Sequence, residues 1–180
     1  MQINRRYQLR LAALLIGYFA ISVFGVGSAL AQLPATGTMD FSELIGGPAT
    51  MTIRQVNINP LATLGWHYHP GIGAYTVVRT GTLVVEDGCG YEDVYQAGEA
   101  FVEHPNRVHR GKSLSSDTVI TTYQMFLVPV GTGISQPLPE RACGAPLGVS
   151  ECRKGGWQMF NFPRTFNNQG DCEQFVLTGQ

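Results

Sequence analysis

Gly65-Trp66-His67-Tyr68-His69 is followed forty residues later by Val108-His109, and these two short stretches hold three of the four histidines in the chain. Side chains of a strand alternate between its faces, so His67 and His69 point the same way if this stretch is extended. A third imidazole from another strand, His109, then completes one face of a metal site. The reading of the whole chain turns on whether the flanking sequence supplies those strands.

It does. Met51 to Ile58 alternates, with Ile53 opposed to Arg54, and stops at Pro60. Tyr75–Arg79 and Thr82–Glu86 are β-branched runs separated by Thr80-Gly81, which reads as a hairpin. Asp87-Gly88 marks a further turn, and Gln96-Ala97-Gly98-Glu99 leads into a strand over Ala100–Glu103. Thr118–Val130 is the longest β-type run and ends at Gly131 and Gly133. Outside the N-terminus nothing sustains an apolar period of 3.6 residues. With 22 Gly, 10 Pro and 14% charged residues, short strands separated by turns predict an all-β sandwich or barrel.

The ends differ from this middle. Arg5, Arg6 and Arg10 precede the apolar run Leu11–Val26, and Ser28-Ala29-Leu30-Ala31 offers small residues at −3 and −1. Residues 1–31 therefore read as a signal peptide cleaved after Ala31, placing the protein in the periplasm or outside the cell. The competing reading is an uncleaved membrane anchor. Asn4–Arg10 also resembles a twin-arginine signal without its usual Phe. Residues 32–50 form a lead-in with one weak apolar patch, Phe41–Ile45. Residues 51–130 form the barrel, and residues 131–180, with Pro137, Pro139 and Pro146, a C-terminal extension in which Trp157–Phe162 predicts one more strand.

Cleavage would leave nine basic residues against 13 acidic ones, a net charge of −4. No basic run marks a nucleic-acid footprint, and no second apolar span follows the first. All four cysteines, Cys89, Cys143, Cys152 and Cys172, lie beyond the signal, an even number that suggests two disulfides in an exported protein. Three pairings are open. Cys89–Cys143 with Cys152–Cys172 is favoured because it ties the extension to the barrel and closes a loop within it. No Cys-x-x-Cys spacing supports zinc ligation by these residues.

Residues 65–81 resemble the first cupin motif, which opens on His-x-His and closes on Gly. His67, His69 and Gly81 stand at those places, and Ala74 stands where that motif carries its glutamate. Residues 98–113 resemble the second motif: Gly98 opens it and His109 occupies the ligand place, with His104, Asn106 and Ser113 where Pro, Gly and Asn are usual. The resemblance implies a double-stranded β-helix, or jelly-roll barrel, and Cys89 and Cys143 fit the pattern of small exported bacterial cupins. It implies metal ligation by His67, His69 and His109, with Fe, Mn, Ni, Cu or Zn all suited to imidazole. Homodimers are common in the family.

Three-His cupin sites without the glutamate resemble those of dioxygenases acting on aromatic acids, diketones or thiols. A metal lacking that carboxylate keeps its full charge and favours anionic substrates. Glu103 lies close in sequence and is an alternative source of the missing carboxylate, but the turn breaks strand parity and it is left outside the ligand set. His104 is read as a rim residue, Trp66 and Tyr68 as packing on the opposite face, and Tyr75 and Tyr123 as core aromatics or pocket hydroxyls. Two functions follow: a metal-dependent dioxygenase with a small organic substrate, or a non-catalytic metal- or ligand-binding cupin of the cell envelope. The rival to both is a barrel whose histidines are structural remnants.

Overall fold

A computed structural model of the chain describes residues 35–40 and 46–179; the expected signal peptide over residues 1–31 and the Phe41–Ile45 patch lie outside the described residues. Strands β1 (Ala35–Asp40), β2 (Pro48–Ile58), β9 (Ile120–Pro129), β4 (Ala74–Thr80) and β7 (Ala100–Glu103) form one antiparallel sheet in that order. The second sheet runs β10 (Gln136–Pro137), β3 (His67–Tyr68), β8 (His109–Ser113), β5 (Thr82–Asp87) and β6 (Glu92–Gln96). This is the expected all-β jelly roll.

The two β-branched runs on either side of Thr80-Gly81 do not form a hairpin. β4 pairs with β7 and β9, whereas β5 pairs with β6 and β8. Gly81, at φ +78°, is where the chain leaves one sheet for the other. A tight Thr-Gly link serves a corner as readily as a hairpin, and long-range pairing decides between them. The Asp87-Gly88 turn does close a hairpin, with the Asp87 carboxylate accepting the N–H groups of Cys89 and Tyr91 at 2.9 Å.

β2 explains how one sheet face becomes core. Thr52, Val56 and Ile58 are buried while Ile53 is 45% exposed. Parity therefore turns Arg54 inward with Val56 and Ile58. Val56, Ile58, Val78, Leu83 and Ile120 fill one end of the barrel, each stabilising it by about 1.5–3 kcal/mol. Tyr75 and Tyr123 lie on the outer face, 46% and 39% exposed, so neither is a core aromatic nor a pocket hydroxyl; Tyr123 instead accepts from Arg79 at 2.7 Å.

The Trp157–Phe162 segment is not a strand. Trp157 lies in a 3-10 turn (Gly156–Gln158) between helices α1 (Val149–Cys152) and α2 (Gln169–Thr178). Asn168 caps α2 by accepting from the Asp171 N–H at 2.9 Å. The helix carries no strong apolar stripe. It is held instead by the Cys152–Cys172 disulfide, inside a cluster with Phe160 and Phe166. The other disulfide joins Cys89 to Cys143, so both bridges match the favoured pairing, and they fit an oxidising compartment. No helix among the described residues is long and apolar enough to cross a membrane.

Candidate metal centre

His67 on β3 pairs directly with His109 on β8. Cross-strand partners stand side by side, which brings their ring centroids to 4.5 Å. His69, two residues on and on the same face, lies 4.9 Å from His67 and 5.1 Å from His109. The expected trio therefore converges inside the barrel, with one ligand atom from each ring within 4.8 Å of the others. His69 is fully buried and His109 nearly so.

Which nitrogen each ring offers is settled by the backbone. The Nδ1–H of His67 donates to Gly65 O at 2.9 Å, that of His69 to Ile134 O at 2.7 Å, and that of His109 to Arg107 O at 2.9 Å. A neutral imidazole that donates from Nδ1 carries its lone pair on Nε2. Such bonds from the far ring nitrogen to a carbonyl are the ordinary outer support of a metal-binding histidine. The Nε2 atoms of His69 and His109 are buried without a directed hydrogen-bond partner, a costly state that a metal ion would relieve. Burial, reinforced by His109, pushes the pKa of His67 down to about 3, so this ring stays neutral and competent as a ligand.

The carboxylate that the first motif lacks has a counterpart across the ladder. Ala74 on β4 pairs with Glu103 on β7, and the buried Glu103 points into the barrel with its Oε2 at 2.8 Å from His69 Nε2 and 3.3 Å from His109 Nε2. An Nε2 lone pair and a carboxylate oxygen would repel at these distances, so without an ion the contacts need a proton on the ring, and a bound cation would take that proton's place. Glu103 Oε1 accepts from Thr76 Oγ1 at 2.9 Å and from Gln124 Nε2 at 3.1 Å. Burial alone would raise the Glu103 pKa, but its contacts with His109 and His69 prevail and hold it well below the usual carboxylate range. His109 responds in kind: burial lowers its pKa, and Glu103 more than restores it, so the net shift is upward.

A buried carboxylate thus lies against two of the three imidazoles, on the strand facing Ala74. Glu103 is the last residue of β7 and the turn comes after it, so strand parity holds through it. Gly73 secures the arrangement. At φ +82°, an added Cβ would overlap the Glu103 carbonyl. Gly73→Ala should cost about 2–4 kcal/mol from the left-handed backbone and the overlap together, measurable by urea denaturation.

Cavities open at both sides of the cluster. One of about 330 Å³ is lined by Tyr91, Tyr95, Phe101, Glu103 and His109, with the exposed His104 at its rim. Another of about 280 Å³ reaches His67 beside Arg54 and Trp66. Between them a void of about 30 Å³ touches Arg54, His67, Glu103, His109 and Gln124, enough for an ion or a water. Tyr68 packs against Phe162 at 4.8 Å, as expected, whereas Trp66, under Arg110 at 4.4 Å, also walls the cavity that reaches His67.

Two five-stranded antiparallel sheets, with a His-x-His on one strand of the second sheet facing a histidine on the next, decide the architecture. The fold is a double-stranded β-helix. No protein-family model matches the chain, and no curated protein matches it. Among solved structures it is similar to a double-stranded β-helix protein from Klebsiella pneumoniae, at 15% identity and TM-score 0.44, covering 59% of this chain and 85% of that one. A cupin-like protein from Thermotoga maritima is 16% identical at TM-score 0.43, over 71% of this chain and 84% of its own. A cupin-2 domain protein from Shewanella frigidimarina is 17% identical at TM-score 0.37, over 50% and 78%. The strand order of this barrel, and not those likenesses, carries the fold assignment.

Sequence reasoning passed over Arg54, Thr76 and Gln124. Arg54 was legible, since it shares parity with Val56 and Ile58.

Proposed function

We infer that the protein is an exported metal-binding cupin in which His67, His69, His109 and Glu103 hold a divalent transition metal. The observation that carries this reading is the commitment of all three Nδ1–H groups to backbone carbonyls, which leaves three Nε2 lone pairs converging beside a buried carboxylate. A bound redox-active metal would supply the oxygen chemistry of a dioxygenase acting on a small organic substrate. The chain's own part is to fix the four donors, to keep His67 neutral, and to wall the site with apolar strands that limit water. Four donors would leave two positions of a six-coordinate metal open to substrate.

The test is metal analysis of the mature protein together with thermal unfolding in Fe(II), Mn(II), Ni(II), Cu(II) or Zn(II). Stoichiometric metal is expected, with a gain of about 2.7 kcal/mol at a hundredfold excess over Kd. His109→Ala should abolish that gain and His104→Ala should leave it intact. No metal and no shift with any ion would end this reading. Oxygen consumption by the iron-loaded protein then separates an enzyme from a non-catalytic binder of the cell envelope.

A further inference from the structure

Arg54 is an expensive residue to place where it lies. It projects from β2 into the barrel interior, lining both the central void and the 280 Å³ cavity that reaches His67. A guanidinium brings five N–H donors and a permanent charge. One donor is spent: Nε–H donates to Gln124 Oε1 at 2.8 Å, and Gln124 in turn donates to Glu103. The ring of Phe126 lies 4.9 Å below the guanidinium. Among the described residues no acceptor meets either Nη group. Arg54 is only partly buried and its Nη groups are not sealed from the cavity it lines, so they stay free to meet a solute there.

The surroundings define what that something is. Apart from Arg54, the 280 Å³ cavity is lined by Leu64, Trp66, Ser135, Pro137 and the neutral His67, so Arg54 supplies its charge. The cavity on the other side has the opposite character. It carries Asp87, Asp93 and Glu103, and its Arg107 is fully engaged: Nε and Nη2 donate to Asp87, and Nη1 to Ala145 O and Glu151. An anion is repelled there and drawn to Arg54. Two parallel N–H groups match a carboxylate, and a volume of about 280 Å³ lies at the small end of ligand sites.

We propose that Arg54 forms the carboxylate subsite of the metal centre, so that the substrate is a small organic acid entering beside His67. This rests on the metal-centre reading, and its test is arranged to fail separately. Zinc-loaded protein is titrated with acetate and benzoate, and with acetamide and benzamide as uncharged counterparts of the same shape, by calorimetry. At least one carboxylate should bind tenfold or more tightly than its amide. Arg54→Gln, which retains a donor for Gln124, should erase the discrimination, so that acid and amide bind alike. Arg54→Lys should keep part of it.

Zinc affinity is measured in each variant, so a lost metal and a lost carboxylate are read apart. If wild-type protein fails to take up zinc, the metal reading falls, and the same four probes on the metal-free protein still test Arg54. If neither carboxylate is preferred over its amide, or if Arg54→Gln discriminates as well as wild type, the subsite is overturned.

Discussion

Cys89→Ser with Cys143→Ser is expected to melt roughly 10–15 °C below wild type and to bind zinc more weakly. The bridge closes a loop of 54 residues; releasing it restores chain entropy worth about 4 kcal/mol to the unfolded state, and a domain of this size loses roughly 2–4 °C per kcal/mol. The effect on zinc follows from where the bridge sits. Beside it, Gly88 N–H donates to Val108 O at 2.7 Å, Ala145 N–H to Asn106 O at 3.2 Å, and Arg107 Nη1 to Ala145 O at 3.2 Å. Gly144 lies so close that a Cβ there would overlap the Val108 backbone. These contacts clamp the residues just before His109, whose Nδ1–H is aimed by the Arg107 carbonyl. Removing Cys152–Cys172, a separation of 20 residues, should cost about 3 kcal/mol and loosen α2 while leaving zinc affinity unchanged. Calorimetric unfolding and zinc titration of both double variants check this. Equal zinc losses in the two would show that the first bridge has no special hold on the site.

That contrast reflects what a sequence can and cannot encode locally. His67 and His69 were legible because period-two alternation needs only neighbouring residues, and His109 through the second motif, while the disulfide pairing stayed open because any partner of Cys89 joins the extension to the barrel. The corner at Thr80-Gly81 was not legible, because the same two residues suit a hairpin or a crossing between sheets and only distant partners choose. Helix α2 was missed because the Cys152–Cys172 bridge and the Asn168 cap stabilise it, not an apolar stripe. Trp157–Phe162 has strand composition, yet the Cys143 carbonyl accepts the N–H groups of Asn161 and Phe162 at 3.2 and 3.1 Å, and no sheet edge receives the segment. Glu103 shows the same limit at the site. Its parity is local, but its register opposite Ala74 is a property of the β4–β7 pairing.

That register makes the carboxylate movable. Glu103→Ala is expected to weaken zinc binding by roughly a hundredfold, at the upper end of what even a supporting carboxylate contributes, or about 2.7 kcal/mol. Glu103→Gln, which keeps the shape and still accepts from Thr76, should fall by a similar factor if charge on the donor oxygen matters and packing does not. The decisive variant combines Glu103→Ala with Ala74→Glu. Cross-strand neighbours have their Cβ atoms about 4.5–5.5 Å apart, and Ala74 is fully buried beside the cluster, so the new side chain enters the space that the old one leaves. The exchange roughly conserves volume, which cores tolerate best. Ala74 is also the position at which the first cupin motif carries its glutamate. Zinc affinity should recover at least tenfold over Glu103→Ala alone, read by competition titration, with the melting temperature of the metal-free proteins reporting any damage to the barrel. A swapped variant that folds normally yet binds zinc no better than Glu103→Ala would mean that Glu103 orients His69 and His109 from its own strand and is not a ligand to the ion.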